Sequence, residues 1–147
     1  MTETVGQILD RVRTEGDTAV KDYTLQFDGV PVSLEAVGRD QLKEWASHCR
    51  QEVFEALERA AERIGDFHRR QVQQSWLHTA EDGTILGQRI RGLERVGIYV
   101  PGGTAAYPSS VLMNAIPAKI AGVKEIIMVT PPPKDGAFNA DVMAAAY

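Results

Sequence analysis

The segment 96–117, VGIYVPGGTAAYPSSVLMNAIP, is the part of the chain whose residue types are best suited to bind a ligand. Its apolar start predicts a strand that enters a glycine turn and then a helix, an arrangement that brings several backbone N–H groups to one place and commonly holds an anionic or nucleotide-like group. Tyr99 precedes the turn at the carboxyl end of the predicted strand, where open α/β sheets bind ligands, and its ring can stack on a flat molecule. The turn consists of Pro101, Gly102, Gly103 and Thr104.

The glycine turn does not match the common phosphate-binding motifs. No lysine follows Gly103, so the G-x-x-x-x-G-K-[ST] loop of ATP and GTP hydrolases is absent, and the dinucleotide fingerprint G-x-G-x-x-G is absent as well. Gly102 and Gly103 also suit a tight connection between strand and helix that needs no ligand. Both interpretations of the turn therefore stay open on residue types alone.

The remaining reactive side chains do not form a recognisable catalytic set. Cys49 is the only cysteine, which excludes an intrachain disulfide and a cysteine-rich metal site. Its spacing from apolar neighbours predicts a small core residue rather than a reactive thiol. His68 and His78 are ten residues apart with no carboxylate at ligand spacing, so we expect no metal ligand among them.

Length and composition limit the class of protein. The chain has 147 residues, 44% of them apolar and 24% charged, which corresponds to one ordinary domain or part of one. No apolar stretch reaches the length of a membrane span, and the first residues lack the pattern of a secretory signal, so we expect a cytoplasmic protein without a membrane segment. The net charge of −4 argues against nucleic acid as a partner.

Residues 1–94 are predicted to form a helical leader with a β-hairpin near 82–91. Apolar residues recur at helical spacing in two short helices, which Gly16 separates and Gly29 ends. A third pattern runs from Asp40 to Phe67 and predicts one long helix, with a kink allowed. Asp82-Gly83 is a typical hairpin turn.

Residues 95–147 are predicted to begin a Rossmann-like domain. The pattern gives a strand at 96–100, a helix at 107–121, a strand at 125–130 and the start of another helix near 138. This order defines a βαβ unit with two parallel strands. The predicted fold class is therefore α/β: a helical leader followed by the first βαβ unit of an incomplete, doubly wound parallel sheet.

The stretch ERVGIYVPGGTAAYPSSVLMNAIPAKIAGVKEI resembles the signature region of histidinol dehydrogenases, and ILDRVRTEGDTAVKDYTLQFDG and DGTILGQ extend the resemblance over essentially the whole chain. The resemblance implies oxidation of L-histidinol to L-histidine through L-histidinaldehyde with two NAD, in histidine biosynthesis. It also implies one zinc ion per active site and an intertwined homodimer. Tyr99 corresponds to the family's cofactor-contacting tyrosine, and Pro101, Gly102, Gly103 and Thr104 stand in the same motif as further NAD-binding residues.

The zinc ligands and the glutamate-histidine acid/base pair of the family have no counterpart in these 147 residues. The resemblance therefore implies that the sequence is the N-terminal portion of such an enzyme and is inactive alone. Two alternatives stay open. One is a sister NAD-dependent alcohol dehydrogenase of the same superfamily, acting for example on sulfopropanediol; the other is a non-catalytic binding or dimerisation module.

Overall fold

The structure, a computed structural model, describes residues 2–102, 106–133 and 136–147, and within them the chain forms six helices and four strands. In chain order these are α1 (Thr2–Glu15), α2 (Asp17–Asp28), α3 (Arg39–Ala46), α4 (Gln51–Arg69), β1 (Trp76–Thr79), β2 (Ile85–Gln88), β3 (Arg95–Tyr99), α5 (Pro108–Ile120), β4 (Glu125–Val129) and α6 (Ala140–Ala146).

Glycine sets the boundaries of the first two helices. Gly16 separates α1 from α2 at φ 57°, and Gly29 ends α2 at φ 75°, where its N–H donates to the carbonyl of Leu25. Both boundaries were predicted because a positive φ favours glycine. Arg11 joins the two helices by donating to Asp22 at 2.5 Å, so α1 and α2 form a helical pair.

The prediction of one long helix from Asp40 to Phe67 is wrong, because the chain turns between α3 and α4. The Ser47 hydroxyl donates to the carbonyl of Glu44 at 2.6 Å, and the N–H of Cys49 donates three residues back to Ala46 at 2.9 Å. These short-range bonds tighten the last turn of α3. Arg50 is then extended, with ψ 139°, and α4 begins at Gln51.

An antiparallel hairpin joins the helices to the second half of the chain. Strands β1 and β2 pair from Trp76 with Gln88 to Thr79 with Ile85, and Gly83 occupies the turn at φ 87°. At the base of the hairpin the Ser75 hydroxyl accepts from the Ile90 N–H at 2.8 Å and donates to the Ile90 carbonyl at 3.2 Å. This side chain replaces one backbone pair of the ladder.

The predicted parallel βαβ unit is confirmed. Strands β3 and β4 run parallel, in register from Arg95 with Glu125 to Tyr99 with Val129, and α5 packs on both. The ladder continues one residue further, where the Val100 N–H donates to the Val129 carbonyl at 2.9 Å. The carboxyl ends of the two strands are thereby held side by side.

The core lies where the end of β3 meets α3, α5 and α6. Its buried members are Val100, Val111, Val142 and Met143. Trp45 of α3 closes the core against Phe138, with ring centroids 4.8 Å apart. These contacts fix the position of the strand end that leads into the glycine turn.

Candidate cofactor-binding edge

Tyr99 lies at the carboxyl end of β3 on the sheet face that α5 does not cover. Ile98 and Val100 are buried, and because side chains alternate along a strand, Tyr99 is directed to the opposite face. Its side chain is 61% exposed. An aromatic ring that is open to solvent at this end of a parallel sheet has the position that a stacking residue requires.

The turn that follows Tyr99 packs closely on the segment after β4. Pro101 is half-buried and Gly102 is exposed. A Cβ atom added at Gly102 would lie 3.3 Å from the Thr130 Oγ1 atom and 3.4 Å from the Pro131 Cδ atom, so a larger residue would press on that segment. Two predicted site residues, Gly103 and Thr104, lie outside the described residues.

Helix α5 begins just after the turn. Pro108 occupies its first turn, where the missing N–H of proline costs nothing, and Tyr107 at the N-cap provides no side-chain cap. Asn114 donates from its side chain to the carbonyl of Ser110 at 2.7 Å and so is used within the helix. Tyr99, the Pro-Gly turn and the start of α5 therefore follow one another at one edge of the sheet.

Cys49 lies far from this edge in sequence and contacts another part of the fold. It is half-buried in the turn between α3 and α4, and its thiol donates to the Asp141 carboxylate at 3.2 Å. Burial, reinforced by the hydrogen bond to Asp141, raises the pKa of the thiol. Such a thiol stays protonated at neutral pH.

The histidines do not assemble into a metal centre. The His68 ring N–H donates to the Gln71 side-chain oxygen at 2.7 Å, and His78 lies on the exposed strand β1. Over residues 2–102, 106–133 and 136–147, no three histidine, cysteine, aspartate or glutamate side chains lie close enough to hold a metal ion.

Sequence reasoning missed two contacts. The support of Gly102 by Thr130 and Pro131 was not predicted, although the parallel order of the strands places their carboxyl ends together. The bond between Cys49 and Asp141 joins residues 92 apart and has no sequence signal.

None of the described helices is long and apolar enough to cross a membrane.

The fold and the exposed edge are those of an α/β protein in which a helical leader is followed along the chain by a Rossmann-like parallel unit. The family follows from comparison with known proteins. The model of the family described as histidinol dehydrogenase matches residues 1–147. The chain belongs to the histidinol dehydrogenase family.

Individual relatives agree with this assignment. The chain is 52% identical over 140 residues to histidinol dehydrogenase from Geobacillus kaustophilus, a match that covers 95% of this chain and 33% of the relative. It is 53% identical over 146 residues to the enzyme from Nitrosomonas europaea, covering 97% and 34%. The crystal structure of histidinol dehydrogenase from Elizabethkingia anophelis superposes with a TM-score of 0.87 at 31% identity, covering 99% of this chain and 34% of that one. The chain thus spans about one third of the length of these relatives.

Proposed function

We propose that the complete protein containing these residues is an NAD-dependent dehydrogenase that oxidises L-histidinol to L-histidine through L-histidinaldehyde. In this proposal it acts in histidine biosynthesis in the cytoplasm, as a homodimer. The observation that carries the proposal is the family match over residues 1–147. That match favours this activity over a sulfopropanediol-type dehydrogenase and over a non-catalytic module.

The edge at Tyr99 is proposed as one wall of the NAD site. The exposed ring offers a flat apolar surface, and the backbone at Gly102 has no side chain that would keep a ligand away. Pro101 is included in the proposal as the neighbour of Gly102, and Gly103 and Thr104 are included because they belong to the same sequence motif. Bound NAD supplies the hydride acceptor for alcohol oxidation. The residues of this chain bind and orient it.

The zinc ion that the family implies does not fit the described residues. The described residues bring no set of three ligands together. The hydrogen-bonded pair of Cys49 and Asp141 supplies two candidate ligands, fewer than a zinc site requires. We therefore assign no zinc ligand to this chain and derive no step through the metal. Alcohol oxidation also needs a base for the hydroxyl proton, and the residues that the structure describes around Tyr99, at 98–102 and 106–108, include no histidine or carboxylate for that role. Residues 1–147 alone are accordingly expected to be inactive.

Replacement of Tyr99 tests the proposed NAD wall. In the complete protein, Tyr99→Ala should weaken NAD binding about three- to tenfold, because the stacking surface is lost. Tyr99→Phe keeps the ring and should bind NAD as the parent does. Isothermal titration with NAD measures both variants, and equal affinity of Tyr99→Ala and the parent would contradict the assignment.

A further inference from the structure

A cavity lies at the opposite end of the parallel sheet from Tyr99. It has a volume of about 360 Å³ and is formed between the end of α4, the segment that leads into β3 and the end of α5. Because α5 returns the chain to the amino ends of the strands, this cavity is remote from the proposed NAD wall. Its polar lining comes from His68, Gln71, Gln73 and Arg91, and its apolar lining includes Val72 and Ile120.

Arg91 carries the fixed positive charge of this cavity, and His68, Gln71 and Gln73 each provide both donor and acceptor groups. Arg91 makes no ion pair with any residue that the structure describes, and no aspartate or glutamate occurs among the residues found to line the cavity. The Gln71 side-chain oxygen is occupied by the His68 ring N–H at 2.7 Å, which leaves the Gln71 amide N–H groups to donate. One free guanidinium beside amide donors favours an anion.

The end of α5 does not cancel this preference. Helix carboxyl ends carry partial negative charge on their free carbonyls. The N–H groups of Ala121, Gly122 and Val123 donate to the carbonyls of Pro117, Lys119 and Ala118 at 2.9, 3.1 and 3.1 Å. The partial charges that remain on the Ile120 and Ala121 carbonyls are smaller than the full positive charge of Arg91. The wall is also firmly placed, because a Cβ atom on Gly92 would lie only 2.3 Å from the Ala121 carbonyl oxygen.

We propose that this cavity binds a small carboxylate with an apolar body. The carboxylate accepts from the Arg91 guanidinium and the Gln71 amide, whereas Val72 and Ile120 contact the apolar part. The volume lies at the lower end of the range for small-molecule sites, which matches a ligand of about ten heavy atoms. This site is separate from the proposed NAD wall and does not depend on the dehydrogenase assignment.

Titration of the complete protein with benzoate tests the site by two-dimensional NMR. Benzoate should shift the side-chain signals of Arg91, Gln71 and His68 with a saturating curve and a Kd in about the millimolar range, as expected for so small a ligand. Benzamide has the same shape without the charge and should bind at least about tenfold more weakly. Inorganic phosphate carries charge without an apolar body and should also bind weakly.

Arg91→Gln should abolish the benzoate shifts at Gln71 and His68, whereas Arg91→Lys should keep part of the affinity. Arg89→Gln is the matched control, since Arg89 lies two residues away and does not line the cavity. The spectra without ligand show whether each variant is folded. Absence of saturable shifts, equal binding of benzamide, equal binding of phosphate, or undiminished binding by folded Arg91→Gln would each overturn the proposal.

Discussion

Gly92 illustrates how a single missing methyl group permits the packing of two segments. A Cβ atom there would lie 2.3 Å from the Ala121 carbonyl oxygen and 2.9 Å from the Gly122 carbonyl carbon, both of them backbone atoms. We predict that Gly92→Ala destabilises the fold by about 1–3 kcal/mol, because the backbone must move to admit the methyl group. Urea unfolding measures the change.

Gly97 provides the matched control for this prediction. It lies within β3, and a Cβ atom added there meets nothing within 4 Å. Gly97→Ala should therefore change the free energy of unfolding by less than about 1 kcal/mol. Equal destabilisation by the two substitutions would show that close approach at Gly92 is not the cause.

Ionisation of the Cys49 thiol makes the stability of the fold depend on pH in the alkaline range. The pKa of its thiol is raised in the folded chain, mainly by burial and then by the bond to Asp141, whereas the unfolded thiol ionises near 9.0. The contribution of this group is thus complete below pH 9.0 and is lost as the pH rises through the folded pKa. We predict that stability falls more steeply above pH 9 in the parent than in Cys49→Ser.

Alkylation kinetics check the same contact independently. Asp141→Asn removes the negative charge that faces the thiol, so the pKa of Cys49 should fall and iodoacetamide at pH 8 should react faster than with the parent. Asp66→Asn changes a carboxylate elsewhere, in α4, and should leave the rate unchanged. An unaltered rate in Asp141→Asn would show that the carboxylate does not influence the thiol.

Among the elements, the helix boundaries at glycine and the alternation of strand and helix were predictable from the sequence, whereas the break between α3 and α4 was not. Gly16 and Gly29 signal their boundaries because each adopts a positive φ. The turn after Ala46 depends instead on short-range bonds at Ser47 and on packing of Cys49 against α6. Neither glycine nor proline marks it, so the apolar periodicity continued through the break.

The hairpin turn between β1 and β2 depends on the ionised form of Asp82. Its carboxylate accepts from the Thr84 N–H at 2.9 Å, and this bond lowers the pKa of Asp82 below the ordinary 3.8. The stabilisation is present above pH 3.8 and is lost as the pH falls through the lowered pKa. We predict that the Thr84 amide signal moves toward its unstructured position at low pH.

Asp82→Asn retains a side-chain oxygen that accepts from Thr84 but does not titrate, so the acid-dependent movement should disappear in this variant. Glu81→Gln is the neighbouring control and should retain the parent's pH dependence. Persistence of the movement in Asp82→Asn would assign it to another group.

At the scale of the whole molecule, the parallel unit is covered on one face by α5 and exposed on the other. Tyr99, Ile127 and Val129 lie on the exposed face. Parallel sheets are normally covered on both faces, which accords with a chain that spans about one third of its relatives. The sequence was sufficient to predict the βαβ order and the position of Tyr99 at the end of a strand. The contact between Gly102 and Thr130 could be predicted only with knowledge of how the two strands are aligned.

The proposed contribution of these residues to the NAD site of a histidinol dehydrogenase is open to a test by enzyme activity. The most direct measurement is L-histidinol-dependent reduction of NAD, followed at 340 nm, by the complete protein, by its Tyr99→Ala variant and by residues 1–147 alone. We predict activity in the complete protein, a KM for NAD raised about three- to tenfold in Tyr99→Ala, and no activity in residues 1–147. A complete, folded protein that does not oxidise L-histidinol, or an unchanged KM for NAD in Tyr99→Ala, would contradict it.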